Sequence, residues 1–189
     1  MLIGRHLLIY IFAGVLAIAS WWWLQLSPLE QGNEAMPPAH SADYYSSGYQ
    51  KREMDEFGLL KREIRAVKML HYSDDGSVHL EYPELKFFKD KFPPWVIQAE
   101  RGVLSNAGKE LWLNGSVLVT RAALKGGRAI SIKTSDVRVQ PETSYAETVQ
   151  WAELSSPPNV TTGVGLQLSF ADPIRITLLN KVRGKYEIH

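Results

Sequence analysis

From residue 48 to the C-terminus, apolar residues alternate with polar ones in short stretches. Trp95, Ile97 and Ala99, for example, occupy every second position of one such stretch. This period puts one apolar and one polar face on a strand, as an antiparallel sheet with one buried side requires. Turn-forming residues separate the stretches, among them 73–76 and Asp172-Pro173. The pattern therefore predicts an all-β domain over residues 48–189.

A loose repeat runs through this domain. Ala66, Ala99, Thr134 and Leu168 hold the same place in four successive strand-turn-strand units and lie roughly 34 residues apart. A period of this size is typical of units that bury their apolar faces against their neighbours. We therefore predict stacked antiparallel hairpins that form an open β-jelly-roll or a roll-like sandwich.

The N-terminal segment is of a different kind. Residues 7–26 carry no charge, and a helix of about 20 such residues is long enough to cross a bilayer. Arg5 precedes the run and Glu30 follows it, which predicts a short cytoplasmic N-terminus over 1–6 and a chain that continues outward. A transmembrane helix over 7–26 is thus expected to precede the β domain.

Two other interpretations of this segment remain. Ala17-Ile18-Ala19 resembles the small-residue cleavage site of a secretory signal peptide. Cleavage there, however, would begin the mature chain with Ser20 and three tryptophans. A buried soluble helix is the other possibility, but no polar stripe interrupts the run. Residues 27–47, which include the pair Pro37-Pro38, are predicted to form a linker.

Composition excludes several classes of protein. The chain has no cysteine, so it has no disulfide framework, thiol nucleophile or thiolate zinc site. A net charge of +1 argues against a nucleic-acid-binding protein. Catalytic motifs such as a phosphate loop or HExxH do not occur. We predict no enzyme, no cofactor and no metal site, since the histidines are scattered and only His71 and His79 are expected to approach across a hairpin.

Four segments carry a family resemblance. They are Met54–Gly58 with Ile64–Ala66, Phe88–Asp90 with Pro94–Glu100, Leu111–Val117, and Val182–Ile188. In this order after an anchor and a linker, they resemble the LptC family of the bacterial lipopolysaccharide export system. One departure is Ser155-Ser156-Pro157-Pro158, where family members often carry a glycine. Any role of that glycine cannot be transferred to Ser156.

The resemblance implies a β-jelly-roll that is open along one side and holds lipid acyl chains in its apolar interior. It also implies a non-enzymatic subunit that is anchored in the inner membrane by a single span, with its domain in the periplasm. Lipopolysaccharide would arrive from an ABC transporter complex of permease and ATPase. It would leave to a soluble periplasmic bridge protein of similar fold.

The alternation and the resemblance together nominate site residues. The inward positions expected to contact lipid are Leu80, Ile97, Leu113, Val119, Ile132, Leu168, Ile176 and Tyr186. Each of them could instead be an ordinary packed core residue. The exposed edges of an open roll are expected to pair with partners by strand addition. These are Lys185, Tyr186, Glu187 and Ile188 for the bridge protein, and Tyr49, Gln50, Lys51 and Arg52 for the permease.

Two other functions remain open at this point. The first is a scaffold that docks the permease to the bridge protein and never holds lipid. The second is a membrane-tethered hydrolase of envelope polysaccharide, which would need two carboxylates across a cleft. A local basic stretch, Lys61-Arg62 with Arg65 and Lys68, fits a solvated strand face or attraction to lipid phosphates.

Overall fold

The chain divides into two units, Met1–Ala39 and His40–His189. The computed structural model describes residues 3–26, 40–89, 92–124, 127–171 and 173–186. Most of the predicted linker, residues 27–39, lies outside these ranges. The described part of the first unit is one helix, α1 (Ile3–Leu26), which confirms a helix at the predicted place.

The transmembrane span predicted for 7–26 is not confirmed. Among the residues described, no helix meets the combined requirement of length and apolar content for crossing a membrane.

The second unit is built of ten strands. They are β1 (Ala42–Met54), β2 (Leu60–Tyr72), β3 (Val78–Glu81), β4 (Glu84–Lys89), β5 (Phe92–Leu104), β6 (Leu111–Arg121), β7 (Ile130–Gln140), β8 (Tyr145–Ser156), β9 (Asn159–Ser169) and β10 (Arg175–Lys185). All pair antiparallel in one sheet of order β1-β2-β3-β5-β6-β7-β8-β9-β10. β4 continues the place of β3 between β2 and β5. The predicted all-β class with stacked antiparallel strands is confirmed.

The order of the strands is a meander. Each strand pairs with its neighbour along the chain, once β3 and β4 are taken as one broken strand. The crossing connections of a Greek-key jelly roll are therefore not needed to build this roll. β1 and β10 each pair on one side only within the described part of the chain, so the sheet has two open edges.

The first strand begins earlier than predicted. β1 starts at Ala42, so residues 42–47 belong to the sheet and not to the linker. The reason is pairing with the far end of β2, where Tyr45 lies opposite Leu70. Gly48 has a φ of 70°, which lets the strand bend and continue beyond it.

A line of bends crosses the whole sheet, and we call it the bend line. It is marked by six residues with positive φ. They are Gly48 in β1, Tyr82 between β3 and β4, Gly115 in β6, Asp136 in β7, Gly165 in β9 and Lys181 in β10. The pairing register shifts at the same level between Ala99 and Arg101, and again between Thr148 and Trp151. A bulge bends its strand, so aligned bulges bend the sheet as a unit.

The bend line folds the sheet into two layers. Phe170, just after β9, stacks on Phe87 of β4 with ring centroids 4.8 Å apart. The ring of Trp95 in β5 also contacts Phe170, with the two ring centroids 5.5 Å apart. Several strands separate β4 from β9 in the sheet, so these contacts require the sheet to fold over. One apolar core fills the space between the layers.

Candidate functional site

Two continuous rows of inward side chains run across the sheet, one in each layer. The first row, read from the pairing register, is Lys51, Ile64, Leu85, Ile97, Val119, Ile132, Leu154, Thr161 and Gly184. The second row is Tyr44, His71, Val78, Leu104, Leu111, Val139, Ala146, Leu168 and Ile176. The first row is apolar from Ile64 to Leu154 and the second from Val78 to Ile176. At the β1 edge the rows end in the exposed side chains of Lys51 and Tyr44, so the apolar track stops short of that edge.

Burial changes along this track. In the middle strands Ile97, Ile132 and Leu111 are fully buried. Toward β10 the side chains of Leu154 and Ile176 are only half-buried, although they still pack on the core. The interior is therefore closed at its centre and opens gradually at the C-terminal edge.

The predicted lipid-contacting residues divide along the same gradient. Six of them are 0 to 2 % exposed, namely Leu80, Ile97, Leu113, Val119, Ile132 and Leu168. Ile176 lies at the half-buried end of the second row. The alternation thus identified inward positions correctly for these seven residues.

Tyr186 departs from the prediction, because its side chain is 65 % exposed and is not part of the core. Gly184 has no side chain, and the Tyr186 ring occupies the space that a Cβ at that position would need. The Tyr186 Oη lies 3.4 Å from Thr161 Oγ1. The ring therefore covers the end of the first row at the open edge.

An open apolar groove at the rim of the first layer was not foreseen. Ala122, Ala129, Ile130 and Pro157 contribute to its lining. The alternation of Ile130 with Ile132 indicates that both face inward, but it does not show which one lies at an open rim. That distinction depends on where the sheet ends, and only the fold shows it.

At the N-terminal edge of the sheet, the end of the interior is closed by an ion pair. Arg62 donates from Nε to Glu53 Oε2 at 3.0 Å and from Nη2 to the other carboxylate oxygen. The Arg62 side chain is 12 % exposed and lines a small cavity together with Leu104 and Pro141. Its Nη1 atom has no hydrogen-bond partner among the described residues. A buried cation thus faces the interior at the N-terminal edge.

The outer face of the same edge carries a second ionic cluster. Glu63 is 4 % exposed and accepts hydrogen bonds from Arg52 Nε at 2.8 Å and Arg65 Nη2 at 3.1 Å, and another from Gln50. The hydrogen bond from Arg52 is the main cause that lowers the pKa of Glu63 to about 2. The contacts from Gln50 and Arg52 connect β1 to β2.

The four residues predicted to contact the permease therefore have different environments. Gln50 and Arg52 hold Glu63, while Tyr49 packs on the core, and burial raises its pKa. Lys51 is exposed at the start of the first row.

The C-terminal edge is cationic. Arg175, Lys181, Arg183 and Lys185 are all exposed, and none forms an ion pair with another described residue. β10 contains no acidic residue. Of the predicted bridge-protein contacts, Lys185 and Tyr186 lie on this edge, whereas 187–188 fall outside the described residues.

One group of metal-ligating side chains converges within the described ranges. It consists of His40, Asp74 and Asp75, at the start of the second unit and away from the apolar interior. Sequence analysis had no signal for this group, because His40 lies 34 residues from Asp74 along the chain.

Comparison with known proteins identifies one family. The family model described as "Lipopolysaccharide-assembly, LptC-related" matches residues 9–187. The match covers nearly all of the chain and includes most of α1 and the ten strands. Comparison with curated proteins gave no significant match.

Proposed function

Because the chain belongs to the LptC-related family of lipopolysaccharide-assembly proteins, we propose that it is the subunit that carries lipopolysaccharide between two neighbours. Membership in the family gives the protein a role in lipopolysaccharide transport. In the proposed role, lipid arrives from an inner-membrane ABC transporter complex of permease and ATPase. It then moves along the two apolar rows and leaves to a soluble periplasmic bridge protein. No chemical step is required.

The interior is the observation that carries this proposal. Burial of each CH₂ group of an acyl chain contributes about 0.8 kcal/mol, so lipid is held best along an extended apolar surface. The two rows provide such a surface from Ile64 to Leu154 and from Val78 to Ile176. The central side chains pack against one another, so an acyl chain must separate the layers to pass. Entry and exit therefore occur at the half-buried ends, of which Leu154 and Ile176 form the C-terminal one.

The edges support the two partner contacts. An unpaired strand offers its backbone groups to an added strand. β10 is the edge for the bridge protein, and its four exposed cations favour an acidic partner strand. β1 is the edge for the permease, and Arg62 of the adjacent β2 has one N–H group, at Nη1, without a hydrogen-bond partner among the described residues. A lipid phosphate that enters there would meet this cation.

The first unit serves as the membrane attachment in this proposal. Residues 7–26 carry no charge, and Phe12, Val15 and Ile18 of α1 are more than half exposed. An apolar helix surface of this kind is stabilised in a lipid environment or against apolar helices. It would hold the second unit at the periplasmic side of the inner membrane.

A docking scaffold that never holds lipid is a second candidate. One observation favours it, namely the complete burial of Ile97, Ile132 and Leu113. Close packing of this degree is what a solid core requires. In this case the rows would be structural, and only the two edges would be functional.

A photo-crosslinking amino acid on β10 separates the two candidates. Ile176 faces inward, whereas its neighbour Thr177 is exposed on the outer side of the same strand. Lipid transfer predicts a lipopolysaccharide adduct with the probe at position 176 during active export, and little or none at position 177. A scaffold predicts no adduct at either position. Absence of the 176 adduct while export continues would refute the transfer role.

A further inference from the structure

The rim of the second unit brings together an imidazole and two carboxylates. His40 Nδ1 lies 2.9 Å from Asp74 Oδ2. One ligand atom each from His40, Asp74 and Asp75 lies within 4.8 Å of the other two. His40 lies two residues before Ala42, the first residue of β1, whereas the two aspartates belong to the turn between β2 and β3. The fold therefore joins the entry of the chain into the sheet to a turn further along.

The surroundings hold these side chains in position. The His40 ring stacks on Tyr72, with centroids 4.2 Å apart and an angle of 7° between the planes. The turn is closed by a hydrogen bond from Tyr72 N to Ser77 O at 3.0 Å. The backbone N–H of Ser77 also donates to Asp75 Oδ1 at 2.7 Å, which fixes the Asp75 carboxylate in the turn. Contacts of this kind orient ligating groups in metal sites.

We propose that His40, Asp74 and Asp75 form a binding site for a divalent transition-metal ion of the zinc class. Two carboxylates and a neutral imidazole carry a net charge of −2, which a divalent cation neutralises. An imidazole ligand favours Zn²⁺, Cu²⁺ or Ni²⁺ over Mg²⁺ and Ca²⁺. Zinc bonds to nitrogen and oxygen are about 2.0 to 2.2 Å long, so the three ligand atoms need only a small inward movement.

The site has a structural consequence. All three side chains are exposed, so water completes the coordination and exchange with solvent is free. The bound ion would fix the residue that leads into the edge strand β1. A neighbouring contact acts in the same direction, since His71 Nδ1 lies 2.7 Å from Asp43 Oδ1 of β1. Metal binding would therefore stabilise this end of the edge strand, whether or not the domain carries lipid.

Zinc titration of the untagged full-length chain in detergent micelles tests the site. Competition with a chromophoric chelator should give one tight site per chain, and Zn²⁺ should raise the unfolding temperature. His40→Ala, Asp74→Asn and Asp75→Asn should each weaken binding by roughly tenfold or more. Glu142→Gln is the control, because it removes an exposed carboxylate in a different turn, the one between β7 and β8.

Unfolding of each variant in the presence of EDTA shows whether it is folded before zinc is added. If wild type binds no zinc, or if His40→Ala binds it as tightly as wild type, the site is refuted. It is equally refuted if Glu142→Gln weakens binding as much as the three ligand variants do. If Asp74→Asn changes stability in EDTA but zinc has no effect on wild type, His40 and Asp74 form an ion pair only, which also overturns the proposal.

Discussion

Phe170 stacks on Phe87 with ring planes only 11° from parallel, although β4 and the end of β9 lie far apart in the order of strands. The ring of Trp95 also contacts Phe170 in a T-shaped arrangement. Each of these three rings is at most 6 % exposed. This aromatic contact joins the two layers at the rim opposite the bend line.

Replacement of Phe170 by alanine should loosen that junction. A buried Phe→Ala change costs about 3 to 5 kcal/mol, because apolar burial is lost and a cavity remains. We expect a loss of this size in the free energy of unfolding, measured by urea denaturation of the full chain in detergent. Phe57→Ala is the control, since Phe57 is 80 % exposed. A loss as small as that of the control would mean that the layers are held together elsewhere.

Gly165 should tolerate alanine less well than Gly58 does. Both have similar positive φ, 79° and 77°, so strain of about 1 to 2 kcal/mol applies to each substitution. At Gly165 a Cβ would also lie 3.0 Å from Leu179 of β10, whereas at Gly58 it would meet nothing. Thermal unfolding should therefore show the larger loss for Gly165→Ala. Equal losses would show that Leu179 moves aside freely.

Glu63 should make the domain sensitive to acid. Its pKa is lowered from 4.5 to about 2 in the folded chain, so its charged form stabilises the fold. That stability is fully present above pH 4.5 and is lost as the pH falls toward 2. Denaturant titrations between pH 6 and pH 2 should show a smaller loss for Glu63→Gln than for wild type. Identical pH profiles would exclude Glu63 as a source of the acid sensitivity.

Charge reversal on β10 tests the proposed C-terminal partner contact. The double variant Arg183→Glu and Lys185→Glu should bind the bridge protein more weakly, and the difference should shrink as salt screens the charges. The double variant Lys109→Glu and Arg128→Glu is the matched control, because it changes the net charge equally at two exposed cations outside the strands. Binding can be followed by biolayer interferometry at two salt concentrations. An equal effect of the control variant would assign the change to net charge alone.

Local sequence pattern was sufficient for the buried faces of the central strands, but not for the start of β1 or the position of Tyr186. Leu111, Leu113, Val117 and Val119 were predicted to alternate through a turn or bulge at Asn114-Gly115, and all four are buried. The register does shift between Leu113 and Ser116. Such features could be predicted because a strand face depends on adjacent residues, and glycine marks positions where φ is positive.

Relationships between distant strands could not be predicted. Asp136 and Lys181 adopt positive φ on the bend line although neither residue type requires it. Their conformation follows from the bulges in neighbouring strands. Likewise, the position of the Tyr186 side chain depends on the space that Gly184 leaves open. The approach of His40 to Asp74 depends on how β1 enters the sheet. Each of these features is determined by tertiary contacts.

Because of the bend line, the width and the length of the roll depend on different properties of the strands. Strand length on either side of it determines the cross-section of the roll, whereas the number of strands determines its length. Since both rows of inward side chains reach the unpaired edges, a strand added at β10 that bent opposite Lys181 would lengthen the interior without narrowing it. The length of such an interior would then depend on the number of strands added at the edges, whereas strand length on either side of the bend line determines its width.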